Sequence, residues 1–111
     1  MLNAAPFSMG ILTNRPPPEW HPAAADVKAA CTVAARQWDR RGVDIAELAL
    51  RFSLSEPRIA STFVGMATTE DVRRNAAWSE KGPAHDLMDA ACASLDTIRN
   101  RAWTAGLPEI Q

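Results

Sequence analysis

Five of the chain's eight prolines, Pro6, Pro16, Pro17, Pro18 and Pro22, fall within its first 22 residues. A proline nitrogen cannot donate to a helix or a sheet ladder, and its ring fixes φ. The stretch from Pro6 to Ala23 can therefore be neither helix nor central strand, and it reads as one long loop. A structureless loop of that length inside a compact unit usually carries function rather than merely joining elements. This one holds Gly10, Arg15, Trp20 and His21. Ahead of it, residues 2–5 read as a short buried strand ended by Pro6.

The rest of the chain alternates. Val27, Ala30, Cys31, Ala34, Ala35 and Trp38 recur at the spacing of one helical face. Arg40 and Arg41 suit the negative end of that helix's dipole, and Gly42 stops it. Asp44 is expected to cap a second helix, with Glu47 at capping-box spacing; Ile45, Leu48, Ala49 and Phe52 form its buried face and Pro57 its end. Residues 59–65, rich in β-branched and aromatic side chains and bounded by Pro57 and Gly65, are the best strand. Thr68 or Thr69 then caps a helix over roughly residues 70–79, with Glu70 and Asp71 in its first turn. Lys81-Gly82-Pro83 breaks the chain. A last helix is predicted from about residue 84 to 102, with Leu87, Ala91, Leu95 and Ile98 inward, and the tail after Gly106 is expected to fray. Two strands joined through a helical crossover imply a parallel pair in a right-handed βαβ unit.

Composition narrows the functional classes. With 111 residues the chain makes one domain, and its hydrophobic (47%) and charged (23%) contents suit a globular protein. Twelve Lys+Arg against 13 Asp+Glu leave no field to recruit nucleic acid or an anionic membrane. No apolar run reaches the roughly 18–20 residues of a membrane helix. Residues 1–15 have no basic run ahead of their apolar stretch, so a secretory signal is not expected, and with two cysteines read as reduced thiols the expected location is the cytoplasm. Cys31 and Cys92 are expected as buried, reduced thiols acting as small hydrophobes. With His21 and His85 they have the count of a zinc site but not its ligand spacing, so no metal is expected.

Three stretches resemble the aldo/keto reductase family. Residues 5–13, Ala-Pro-Phe-Ser-Met-Gly-Ile-Leu-Thr, are similar to the segment after that family's seventh barrel strand. Residues 42–52, Gly-Val-Asp-Ile-Ala-Glu-Leu-Ala-Leu-Arg-Phe, are similar to the helix before its eighth strand. Residues 64–75, from Val64-Gly65 to Arg74-Asn75, resemble the eighth strand and the start of its cofactor-binding helix. Order and spacing hold over about residues 1–100. The first stretch, with residues 17–22 after it, is most similar to the branch containing L-fucose, D-threo-aldose and L-galactose dehydrogenases.

The resemblance implies an α/β fold, the C-terminal fragment of a (β/α)₈ TIM barrel with about two parallel strands and four helices, spanning residues 1–111 as a partial domain. It implies NAD or NADP at the C-terminal mouth. Ser8, Gly10 and Leu12 would line the pyrophosphate side, Gly65, Ala67 and Thr68 would face the adenosine ribose, and Asp71 and Asn75 would lie near the adenine. A glycine in a loop leaving a strand and a capped helix start agree with this, since both can offer backbone N–H groups to phosphate. NAD is favoured, because Gly65 and Asp71 stand where NADP-dependent relatives place cations, although Arg73 and Arg74 are near. Taken singly, Gly10 and Gly65 could simply serve a turn and a strand end, and Asn75 could be a solvent-facing helical residue.

The family's catalytic Asp, Tyr, Lys and His belong to the other part of the barrel, and this chain has no tyrosine. His21 is expected as a solvated loop histidine, not a substitute. The expected function is thus a truncated NAD(P)-dependent aldose 1-dehydrogenase, inactive alone. One alternative is the C-terminal half of a split enzyme, active on a sugar once an N-terminal barrel half complements it. Another is a non-enzymatic helical interaction module that associates with itself. Two strands cannot close a barrel, so the isolated chain is expected to fold poorly or to need its complement.

Overall fold

The computed structural model describes residues 2–7, 10–17, 19–82 and 85–101. Among them lie two strands, β1 (Leu2–Ala4) and β2 (Ser61–Phe63), and four α-helices: α1 (Ala25–Arg40), α2 (Ile45–Leu54), α3 (Thr69–Glu80) and α4 (His85–Ser94). A 3₁₀ turn over Asp96–Ile98 follows. β1 and β2 pair in parallel, Leu2 opposite Ser61, Asn3 opposite Thr62 and Ala4 opposite Phe63. The fold is α/β.

The helices form where their ends are satisfied. α1 buries Val27, Cys31, Ala34, Ala35 and Trp38, the stripe its periodicity predicts, with Ala30 at the margin. Its far end is a Schellman motif: Gly42, at φ +75°, donates its N–H to the Asp39 carbonyl, and Val43 donates to that of Trp38. Val43 then packs with Trp38 against Ile45 and Leu48, so the stop signal also seats the next helix.

α2 is the hub, touching α1, α3, α4 and β2. That explains why one apolar stripe is too narrow a description of it. Ala46 and Leu50 are buried together with Ile45 and Leu48, whereas Phe52, expected inward, is 55% exposed. The Asp44 carboxylate accepts from the Ala46 N–H at 2.9 Å and caps the helix. Glu47 does not complete a capping box; it accepts from Arg51 (3.0 Å) and from Lys81 at the end of α3 (2.7 Å).

Two other expectations change. The last helix stops at Ser94 and tightens into the 3₁₀ turn, after which Arg101 donates to the carboxylate of Asp26 at 2.7 and 3.1 Å. The chain makes this return through Asn100 at φ +60°. Met88 is buried on α4, while Leu87, Ala91, Leu95 and Ile98 pack at the edge of the core. Cys31 is buried as expected, but Cys92 is exposed.

The sheet is lopsided. Asn3 and Thr62 point to the helices and are half-buried, while Leu2 (61%) and Phe63 (58%) are exposed on the opposite face. No described helix is long and apolar enough to cross a membrane.

Candidate functional site

β1 is followed by Ala5, at φ +54°, whose N–H still donates to the Phe63 carbonyl. The chain then turns through Pro6 into the proline loop. Gly10 sits at φ +98°, a backbone state that other residues reach only with strain. Its N–H and that of Leu12 both donate to the carbonyl of Phe7, and the Thr13 hydroxyl donates to the Gly10 carbonyl at 2.7 Å. The loop is thus held by its own hydrogen bonds.

On the other side, β2 runs through Gly65 into α3, whose start is a full capping box. The Asp71 N–H donates to the Thr68 hydroxyl at 3.1 Å, and the N–H groups of Ala67 and Thr68 donate to one Asp71 oxygen at 3.2 Å each. Arg74 donates to the other Asp71 oxygen at 2.6 Å. The Arg74 guanidinium, with the Ala67 and Thr68 amides behind it, holds the Asp71 carboxyl below the usual carboxylate range.

These two walls face a common groove of about 470 Å³, within the size range of small-ligand clefts. The loop contributes Phe7, Gly10, Thr13, Asn14, Arg15 and Pro16, and the β2–α3 side contributes Gly65, Asp71, Arg74, Asn75 and Trp78, with Asp44 and Ala46 between. Asp71, Arg74, Asn75 and Trp78 follow the i, i+3, i+4, i+7 spacing of a single helical face. Arg74 also lies over the Trp78 ring, 5.9 Å from its centre. Its Nε is buried without a hydrogen-bond partner. Arg15 forms no ion pair among the described residues. Two arginines and two aspartates line the groove, so its formal charge balances.

Of the residues singled out in the sequence, Gly10, Gly65, Asp71 and Asn75 meet on this groove. Leu12 does not: it packs into the core between α1, α2 and α4 and borders a separate apolar cavity of about 430 Å³ with Pro6, Leu48, Phe52, Met88 and Cys92. Ala67 and Thr68 are exposed beside the groove, and their amides are spent on Asp71 rather than offered to a ligand. The Gly10 amide is likewise spent, on Phe7. Gly65 needs no special backbone and has open space where a Cβ would stand. Ser8 lies outside the described residues. His21, expected in solvent, is 3% exposed, and its Nδ1 accepts from the Ala23 N–H at 3.1 Å, just ahead of α1.

Arg15, Arg74 and Trp78 were not marked as site residues by the sequence. The helical spacing of the last two with Asp71 and Asn75 was the available signal.

A phosphorylated, planar-ended ligand suits this arrangement. The groove offers Arg15, an Arg74 with one unsatisfied N–H, and the Trp78 ring, and it couples the end of β1 to the start of α3.

The chain is 33% identical to L-galactose dehydrogenase of Arabidopsis thaliana. The similarity covers 96% of this chain and 35% of that enzyme, so the chain spans about a third of its relative's length. That relative is one of the sugar dehydrogenases in the branch that residues 5–22 resemble. No family model matches the chain.

Proposed function

We propose that this chain is the C-terminal part of an aldo/keto reductase-type (β/α)₈ barrel and forms the cofactor-holding rim of an aldose 1-dehydrogenase. The observation that carries the reading is the shared groove. The Gly10 loop and the Gly65–Asn75 segment are 55 residues apart in sequence, counting from Gly10 to Gly65, yet they line one cleft. Similarity to a sugar dehydrogenase supports the reaction class, an oxidation of a sugar, and the family resemblance of residues 5–13, 42–52 and 64–75 supports a nicotinamide dinucleotide as the hydride acceptor. The parallel β1–β2 pair with helices between its strands supports the reading, although two helices, α1 and α2, stand where the barrel's repeat has one.

In this reading Gly10, Arg15, Gly65, Asp71, Asn75 and Trp78 bind and orient the adenosine and pyrophosphate part of NAD, with NADP bound less well. Ser8 joins the loop side. The acid–base group that moves the substrate proton comes from elsewhere, since the chain has no tyrosine. The exposed Leu2 and Phe63 support a complement: they face away from the helices, where the remaining strands of a closed barrel would cover them. An N-terminal barrel half is the partner of this reading, and a sugar is the substrate only of the completed site. We assign the chain to the cytoplasm, where both of its free thiols stay reduced.

The test is co-expression with an N-terminal aldo/keto reductase half that supplies Asp, Tyr, Lys and His. Aldose-dependent NADH formation by the pair, and by neither part alone, is the expected result. A pair that assembles but forms no NADH with any aldose, and binds no dinucleotide, would overturn the reading.

A further inference from the structure

The apolar cavity between the end of β1, α2 and α4 is a trough of about 430 Å³, and none of its lining residues carries a charge. Leu48 and Met88 are buried in its wall, whereas Phe52, on the inner stripe by sequence, is 55% exposed, and Cys92 is exposed as well. Apolar surface left open in this way gains free energy from any apolar cover. The trough also holds one amide side chain. Asn3 is half-buried there and makes no side-chain hydrogen bond among the described residues. An amide offers donors and an acceptor together, which suits a passing peptide backbone.

We propose that the C-terminal segment of the chain, residues 102–111, covers this trough and seats Leu107 and Ile110 in it. The segment lies outside the described residues, and the case rests on reach and on charge. Ile98 donates its N–H to the Leu95 carbonyl and Arg101 to that of Ile98. Each such turn spans at most about 7 Å between Cα atoms, so Arg101 stands within about 14 Å of Leu95, which lines the trough. The two bonds from Arg101 to the Asp26 carboxylate hold the start of the segment there. From Arg101 to Leu107 the chain can extend about 20 Å, so Leu107 has length to spare. Glu109 is the segment's only charge, and Trp103, Leu107 and Ile110 are its large apolar side chains. A segment of that kind matches the uncharged trough and not the groove, which carries two arginines and two aspartates. None of this depends on the dinucleotide reading of the groove.

Cys92 supplies the test, because it lines the trough and the segment has no thiol. Iodoacetamide reaches it to the extent that the cover lifts, so its alkylation rate in the full chain follows the uncovered population. Two changes remove the cover: a chain ending at Arg101, and Leu107→Asp, which sets a charge against apolar walls. Both are expected to speed Cys92 labelling about fivefold, with Cys31 still protected as proof that the helices remain packed. Should the shortened chain also expose Cys31, Leu107→Asp decides. Equal Cys92 rates in the parent and in Leu107→Asp would overturn the proposal. A rate that falls with protein concentration, and does so equally in all three chains, would also overturn it and would make a second copy the cover.

Discussion

Replacing Glu47 by alanine is expected to loosen α3 and, with it, one wall of the groove. α3 has no fully buried residue, so it is held against α2 by charge as much as by apolar contact. Glu47 on α2 takes two cations on one oxygen: Arg51 at 3.0 Å and Lys81, at the end of α3, at 2.7 Å. The Lys81 side chain is half-exposed, and its pair adds at most about 1 kcal/mol. The Arg51 and Glu47 side chains are only 12% and 13% exposed. Removing the carboxylate leaves the Arg51 charge with little solvent, at about 1–3 kcal/mol. Arg51 keeps its Nε bond to the Gly82 carbonyl at 2.8 Å, so the loss stays below that of breaking a fully buried pair. The sum is about 1–4 kcal/mol for Glu47→Ala, and Glu47→Gln, which retains an acceptor, should lose about half as much. Denaturant unfolding gives the total, and hydrogen exchange shows where it falls: α3 amides should exchange faster relative to those of α1. A Glu47→Ala variant within about 0.5 kcal/mol of the parent, with α3 exchange unchanged, would refute a charge-held α3.

Three further outcomes follow from the same geometry. Gly10→Ala forces a side chain into φ +98° and should cost about 1–2 kcal/mol in denaturant unfolding, while Gly65→Ala, with an ordinary φ and open space, should stay within about 0.5 kcal/mol; equal effects would contradict the backbone assignment. Arg74 depresses the pKa of Asp71, and Arg101 that of Asp26, so both bind fewer protons folded than unfolded near their titration. The stability they add is present above the ordinary aspartate pKa of about 3.9 and is lost as pH falls through the lower folded values; an Asp26→Asn/Asp71→Asn variant should show a shallower acid loss of stability, and an unchanged profile would rule the pairs out as contributors. Iodoacetamide on the native protein should label exposed Cys92 and spare Cys31, whose thiol burial pushes up in pKa; comparable labelling by mass spectrometry would contradict the packing of α1.

Much of the fold was legible because its signals are local. The α1 stripe, the Gly42 stop, the Asp44 and Thr68 caps and the parallel pairing of the two strands all depend on residues a few positions apart or on chain order. The misreadings share a cause, which is contact with partners distant in sequence. Phe52, expected inward, is exposed, and Leu50, outside the predicted stripe, is buried, because α2 has neighbours on several sides. The last helix gives way early to a 3₁₀ turn, and beyond it Arg101 meets Asp26, 75 residues away. His21 looked like a solvated loop residue, but the turn into α1 buries it and uses its Nδ1. Gly10 and Gly65 mark two segments that line one groove, but not by offering free amides to it. The Gly10 amide bonds within its own loop, and the Ala67 and Thr68 amides serve Asp71, so what the groove presents is side chains, Arg15, Arg74 and Trp78 among them.

The central claim is that two distant segments form one nucleotide-holding groove, and a titration of isotope-labelled protein with NAD, followed by backbone amide NMR, tests it most directly. Signals from Gly10 to Arg15 and from Gly65 to Trp78 should shift together and saturate with one dissociation constant, while the α1 and α4 amides stay still. Shifts confined to one of the two segments, or none at millimolar NAD, would contradict the account.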